Sequence, residues 1–194
     1  MARVTSIVRR SSGIKHQKLN EVVHGDLLDL LPILDQLADR HVCFFCIGVY
    51  TGAVPAVEFR KITADYAAAF ATALKAASPN VAFCLLSGQG SDRTEKSRMM
   101  FARDKGAAEN FLVVMGFDRL HMFRPRFICP VEKRKEPNTI YVIFRALWKP
   151  LFSKLGPNIG ISSVQLAHAM VKVGLQGGVQ EIYENKDIRK IPGG

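Results

Sequence analysis

Short apolar runs alternate along this chain with apolar residues recurring at helical spacing. Val4 to Val8 is a β-branched run that ends in the turn signal Arg9-Arg10-Ser11-Ser12-Gly13. Glu21 to His24 reads as a second strand closed by Gly25-Asp26. Leu27, Leu28, Leu30, Leu31, Leu34 and Leu37 then predict a helix with an irregularity at Pro32. His41 to Ile47 and Val81 to Leu86 are continuous apolar runs of strand length, the pattern of parallel strands buried on both faces. Between them, Phe59, Ile62, Tyr66, Phe70, Leu74 and Ala77 step by three and four, and Ser78-Pro79-Asn80 stops that helix.

After the loop Ser87 to Asp92, a helix is predicted from about Glu95 to Val114, ended by Gly116. Arg119 to Phe123 is the next strand, broken by Arg124-Pro125. Lys133 to Asn138 reads as a charged loop. Helices follow near Ile140 to Lys154 and from Ser163 to Leu175, the latter capped by Ser162 or Ser163, and Gln180 to Tyr183 reads as a last strand. Strands alternating with helices specify an α/β fold, Rossmann-like, with a mainly parallel sheet and flanking helices. No linker divides residues 1–194, so a single domain is expected, with a C-terminal helical segment from about 138 packed on it.

Composition narrows the classes. Hydrophobic residues make up 48% and charged residues 23%, which excludes global disorder. The four cysteines do not form a disulfide framework at this size, and reduced thiols fit a cytoplasmic protein. No apolar stretch approaches the ~18–20 residues that span a bilayer; the best is Val42 to Tyr50. The formal charge of +10 invites nucleic acid, but the basic residues are scattered and no finger or RNA-recognition motif accompanies them. A basic surface or a small anionic ligand fits better. The acid-free, basic first twenty residues superficially suit a presequence, but Arg3 to Val8 reads as a strand.

Ligands of doubly wound sheets sit beyond the carboxyl ends of the strands. Five loops lie there: Arg9–Gly13, Gly25–Asp26, Gly48–Gly52, Ser87–Asp92 and Arg124–Pro130. Together they suit a dinucleotide crevice. Arg9 and Arg10 either grip a 2′-phosphate, as in NADP, or form a solvated basic turn. Asp26 either accepts from an adenine amino group or caps the helix at Leu27, and capping is favoured when it is taken alone. Cys43 and Cys46 stand three apart on a strand and therefore on opposite faces, which suits small buried hydrophobes better than a metal or redox pair. Phe101 and Lys105 share one helix face. That pair fits a core phenylalanine beside a surface lysine, or a lysine that bonds a cofactor ribose.

These residues give the chain a resemblance to atypical short-chain dehydrogenases/reductases. They form part of the NAD(P)-binding Rossmann and sugar-nucleotide-epimerase-like group, and the Tat-interacting oxidoreductase-like proteins match best. The matching segments are Val4-Thr5-x-Ile7-x-Arg9-Arg10, Cys46-Ile47-Gly48 with Thr51, Asp65-Tyr66 and Leu85-Leu86-Ser87-x-x-Gly90-x-Asp92. Lys105-Gly106-x-x-Glu109, Gly116-Phe117-Asp118-Arg119, Phe123-Arg124-Pro125 and Glu184-Asn185-Lys186 complete the set.

The resemblance implies that Arg9 and Arg10 lie near the adenosine phosphate. It puts Ile47, Gly48 and Val49 beside the pyrophosphate and ribose, Pro125 near the nicotinamide, Ser87 at the catalytic serine, and Lys105 as the lysine of a Tyr-x-x-x-Lys pair. Three departures stand out. Phe101 occupies the tyrosine position and cannot act as the general acid/base. Ser87-Gly88-Gln89 keeps one serine of the usual run, with Ser91 as a poor substitute. The Gly-rich strand-turn-helix that opens the family is absent, since the first visible strand matches the family's second.

Three arrangements accommodate that omission. Val4–Val8 pairs with His41–Ile47, another chain such as a dimer partner fills the slot, or the true start lies upstream. The expected function is NAD(P) binding, NADP preferred, with weak or no hydride transfer; a nucleotide-sensing or protein-interaction module is the alternative. Any remaining chemistry would use Ser87 or Ser91 to polarise a carbonyl, with Tyr66 or Tyr141 as candidate proton donors.

Overall fold

The computed structural model describes residues 3–129 and 160–192. Four parallel strands form its main sheet in the order β3 (Val42–Phe45), β4 (Ala82–Leu86), β5 (Leu120–Arg124) and β8 (Ile182–Glu184). Both faces of this sheet are covered, which explains the uninterrupted apolar runs. Side chains alternate across the pleat. Phe83 and Leu85 enter one core with Phe70, Leu74, Ala108 and Leu112, while Cys84 enters a second with Phe123, Met170 and Val173.

The first face is covered by α2 (Tyr66–Ala77) and α3 (Met100–Val114). The helix predicted from Phe59 begins as α1 (Ala56–Arg60) and passes through a π-helical turn, Lys61–Asp65, into α2. On the other face lies α4 (Ser163–Gln176), where the Ser162 hydroxyl accepts the Gln165 amide at 3.1 Å, the cap predicted from sequence. A short α5 (Asn185–Lys190) closes that side through Ile188. The sequence pattern did not predict α5. Nor did it predict the small parallel sheet of β6 (Phe127–Cys129) and β7 (Gly160–Ser162).

Two local expectations are corrected. The leucine-rich segment is no α-helix from Leu27: a 3-10 helix spans Leu31–Leu37. Asp26 and Asp29 accept the amides of Leu28 (2.9 Å) and Leu31 (3.1 Å), turns that compete with helix, and Pro32 has no amide to give. Asp26 therefore caps a turn rather than a helix. The second strand, β2, is Leu19–Val23 and begins two residues before the predicted Glu21.

β2 pairs in parallel with β1 (Val4–Val8) as a separate two-stranded sheet. Residues 9–18 make this crossover without a helix, held down where Ser11 Oγ (2.5 Å) and the Ser12 amide (3.1 Å) donate to the Glu21 carboxylate. Ile7 and Val22 pack on the same core as Leu85 and Leu112. Among the described residues β1 bonds only to β2 and β3 only to β4, so the direct pairing of Val4–Val8 with His41–Ile47 is not formed. The expected loop at Lys133–Asn138, the helix at Ile140–Lys154 and Tyr141 lie outside the described residues. No helix among the described residues is long and apolar enough to cross a membrane.

Candidate functional site

A cleft of 640 Å³ opens at the carboxyl ends of β3, β4 and β5, with Val49, Ser87, Gln89, Phe101, Pro125 and Ile128 among its walls. This is where a parallel sheet presents loop backbone and side chains to a ligand. Three of the five loops singled out from the sequence meet there. Arg9, Arg10 and Asp26 are exposed and stand outside the lining, and Ile47 is half-buried against the core.

The Ser87–Asp92 loop is clamped to the start of α3. The Asp92 amide donates to the Ala102 carbonyl at 2.8 Å, and a Cβ on Gly106 would overlap the Asp92 carbonyl. Only glycine lets helix and loop approach so closely. The Asp92 carboxylate then gathers the Thr94 amide, the Thr94 hydroxyl and the Ser97 amide, which hold its pKa below the ordinary value. Gly90 turns the loop at φ +86°, in the left-handed region. At Gly88 a Cβ would come within 2.5 Å of the Phe101 ring. The ring therefore fills the space that a second serine would need, and the two departures, Gly88 and Phe101, are one packing solution.

Lys105 lies one turn beyond Phe101 and is no surface residue: it is 8% exposed. Its Nζ donates to the Leu86 carbonyl at 3.1 Å and stands 4.0 Å from the place a Cβ of Gly48 would occupy. The lysine thus spans from α3 to the mouths of β3 and β4. Burial lowers its pKa to about 8, against the opposing pull of Glu109 and Cys46.

Beneath the cleft lies a buried ionic network whose role sequence reasoning missed. Glu109 is fully buried and is gripped on both oxygens by Arg124, through Nε at 2.9 Å and through Nη2. Arg124 Nη1 also reaches Glu184 at 3.2 Å, and this pair of carboxylates raises the arginine's pKa further. Ser87 Oγ donates to Glu109 at 2.5 Å. A carboxylate held by a guanidinium only accepts, so the single Ser87 proton is committed to it. Ser91 donates to the Gly88 carbonyl at 2.7 Å and lies 2.9 Å from Ser87 Oγ. Both hydroxyls therefore turn oxygen lone pairs, not protons, toward the cleft. In this arrangement neither hydroxyl proton is directed at a substrate carbonyl. The available signal was the Lys105–Glu109 spacing, which places two charges on one turn of an otherwise apolar helix face.

Cys43 lies on β3, but Cys46 stands one residue beyond its end, so the two are not related by strand alternation as expected. Cys43 packs against the first core, whereas Cys46 is exposed, which corrects its assignment as a buried hydrophobe. Desolvation of the sulfur still raises the Cys46 pKa, with the Lys105 charge pulling it down. Cys84 is buried, and its pKa is pushed up to about 12. Among the described residues no group of three or more His, Cys, Asp or Glu stands ready for a metal ion. Tyr66 packs against the first core with Lys61 over its ring at 5.8 Å.

A parallel sheet covered on both faces, a strand-end cleft and a buried helical lysine with Phe101 one turn before it together define a Rossmann-like α/β fold. Among particular proteins, the chain is similar to Protein HTATIP2 of Rattus norvegicus. The two are 28% identical over 193 residues, which cover 96% of this chain and 77% of that one.

The fold is shared with a glucuronic acid dehydrogenase from Chromohalobacter salexigens (TM-score 0.64, 13% identity, 94% of this chain and 66% of that one). It is shared too with a dTDP-4-dehydrorhamnose reductase from Bacillus anthracis solved with NADP (TM-score 0.63, 14% identity, 94% and 73%). The enzyme WbmH of Bordetella bronchiseptica, solved with NAD+, gives a TM-score of 0.56 at 15% identity, covering 94% and 77%. The chain thus spans about two thirds to three quarters of these proteins. No family model matches the chain.

Proposed function

We propose that this chain binds a nicotinamide dinucleotide, NADP in preference to NAD, across the carboxyl ends of its strands, and that it transfers hydride weakly or not at all. The observation that carries this reading is the position of Lys105, buried on α3 and reaching to Gly48 beside Ser87. The residues suit the two ends of such a ligand. Arg9 and Arg10 are exposed at the end of β1, where guanidinium groups can pair with a 2′-phosphate. Val49 and Pro125 line the cleft, and Gly48, just before Val49, is exposed.

The bound dinucleotide would supply hydride. The chain's own residues would orient it: the Lys105 ammonium bonds a ribose hydroxyl and Gln89 and Ser87 face the substrate space. Phe101 offers no proton, and the Ser87 proton is held by Glu109, so proton transfer to a substrate oxygen lacks its usual donor. That same pairing supports a second reading, a non-catalytic module that senses a nucleotide or presents a surface to a protein partner, including a second copy of the chain.

Calorimetric titration with NADPH and NADH tests the binding. Tighter binding of NADPH, with the preference erased in an Arg9→Ala/Arg10→Ala variant, supports the dinucleotide reading. Binding of neither leaves the interaction module. Phe101→Tyr, with Gly88 kept because a side chain there would meet the ring, should raise turnover on an aldehyde and ketone panel. No gain in a variant that still binds NADPH would count against an oxidoreductase role.

A further inference from the structure

Residues 9–18 cross from β1 to β2 without a helix, and every one of them is exposed. They begin Arg9-Arg10-Ser11-Ser12-Gly13, so two guanidinium groups stand three and two residues before Ser12. The two serines use their hydroxyls differently. Ser11 Oγ donates its one proton to Glu21 at 2.5 Å and accepts the Gly13 amide at 3.2 Å. Ser12 Oγ accepts the Ile14 amide at 3.2 Å, and only its backbone amide is bonded to Glu21, at 3.1 Å. The Ser12 hydroxyl proton therefore has no acceptor among the described residues, on an exposed side chain that follows a pair of cations. Among the described residues one other hydroxyl has two cations at that spacing: Thr63, after Arg60 and Lys61. Thr63 is 2% exposed within the π-helical turn, where a modifying enzyme has no access to it.

We propose that Ser12 is the phosphoacceptor of an arginine-directed protein kinase, and that phosphate there closes Arg9 and Arg10 to the 2′-phosphate of a dinucleotide. The second half rests on the dinucleotide reading; the first does not. Kinases of this class select substrates by charge pattern, pairing their own carboxylates with guanidinium groups that precede the acceptor. The Ser12 oxygen attacks the γ-phosphorus of ATP. The new O–P bond forms as the bond to the β,γ-bridging oxygen breaks, ADP leaves, and the hydroxyl proton passes to the base of the kinase. The product carries about −1.5 to −2 charge at pH 7. Extended chain spans at most about 7 Å from Ser12 to Arg10 and about 11 Å to Arg9, so both guanidinium groups can reach it. No acidic residue lies between positions 9 and 20 to compete for them. Glu21 is the next acid, and the added charge opposes its bond to the Ser12 amide.

The test incubates the full chain with magnesium, ATP and the catalytic subunit of cyclic-AMP-dependent protein kinase, and maps the phosphate by peptide mass spectrometry. Ser12 should be modified at least tenfold faster than Ser11 or Thr63. Arg9→Ala/Arg10→Ala should slow the reaction at least tenfold, and Ser12→Ala should leave the loop unmodified. The phosphoacceptor proposal is overturned if Ser12 stays unmodified in folded chain while a control peptide with paired arginines is turned over. Phosphate placed mainly on Ser11, or a rate unchanged in the double alanine variant, overturns it equally.

Calorimetry on the modified chain separates this inference from the dinucleotide reading. NADPH bound at least tenfold more weakly after phosphorylation, with NADH unchanged, supports both. NADPH bound as tightly as before overturns the blockade. Binding of neither nucleotide by the unmodified chain overturns the dinucleotide reading and the blockade together, while phosphate mapped to Ser12 still supports the acceptor site.

Discussion

Arg124→Met isolates the energetics of the network beneath the cleft. In the native chain Glu109 is fully buried, and the Arg124 side chain is only 13% exposed. The substitution removes three donated hydrogen bonds and the sole guanidinium partner of Glu109, leaving the Ser87 hydroxyl as its one described donor. Removing one member of a buried ion pair costs about 3–5 kcal/mol, mostly because the remaining charge stays dehydrated and unpaired. For a chain of this length each kcal/mol corresponds to about 2–4 °C in melting temperature, so Tm should fall by about 6–20 °C.

Urea unfolding followed by circular dichroism, with the slope held common to both proteins, reads the free energy directly. The companion Arg124→Met/Glu109→Leu should recover most of the loss, since an apolar pair of similar volume needs no counter-charge. A loss under about 1 kcal/mol for Arg124→Met, or a double variant no better than the single, would refute the buried-pair argument. With it would go the reason given for the orientation of the Ser87 hydroxyl.

Other consequences follow from the same site. Lys105→Met should stabilise the chain at pH 7 by about 1–3 kcal/mol, because burial disfavours the charged amine by more than the Leu86 hydrogen bond returns. The folded pKa of about 8 lies below the unfolded value, so the wild type carries this penalty in full below pH 8. The penalty fades as pH rises toward 10.5, and the advantage of the methionine should vanish there; an advantage unchanged at pH 10.5 would contradict the assignment. Iodoacetamide should modify exposed Cys46 well before buried Cys84, whose thiol stays protonated, and equal rates on peptide mapping would contradict that burial. Gly106→Ala should lose about 3 kcal/mol or more on denaturation, since the new methyl meets Asp92 backbone rather than a yielding side chain; a neutral result would mean that loop and helix are not in contact.

Much of the fold was legible because it rests on local and periodic signals. The runs at His41 and Val81 are apolar at every position because both faces of β3 and β4 are buried, and that requirement is written directly in the residue order. The helix from Phe59 and the cap at Ser162 are equally local. Where competing local chemistry decided the outcome, periodicity misled: Asp26, Asp29 and Pro32 turned a leucine-rich helical pattern into a turn followed by a 3-10 helix. Elements of three to six residues, such as β6, β7 and α5, carry too few positions to show a period at all.

The sequence by itself determined that strands would alternate with helices and that Phe101 and Lys105 would share a helix face. Each follows from the fixed repeat of helix or strand, which a linear order of residues already contains. Only the tertiary structure decided that Lys105 is buried and reaches Gly48, that Cys46 is exposed, and that Arg124 and Glu109 meet beneath Ser87. Those facts depend on how α3 settles on β4 and β5, since charge burial and the direction of a hydroxyl proton are set by neighbours distant in the chain.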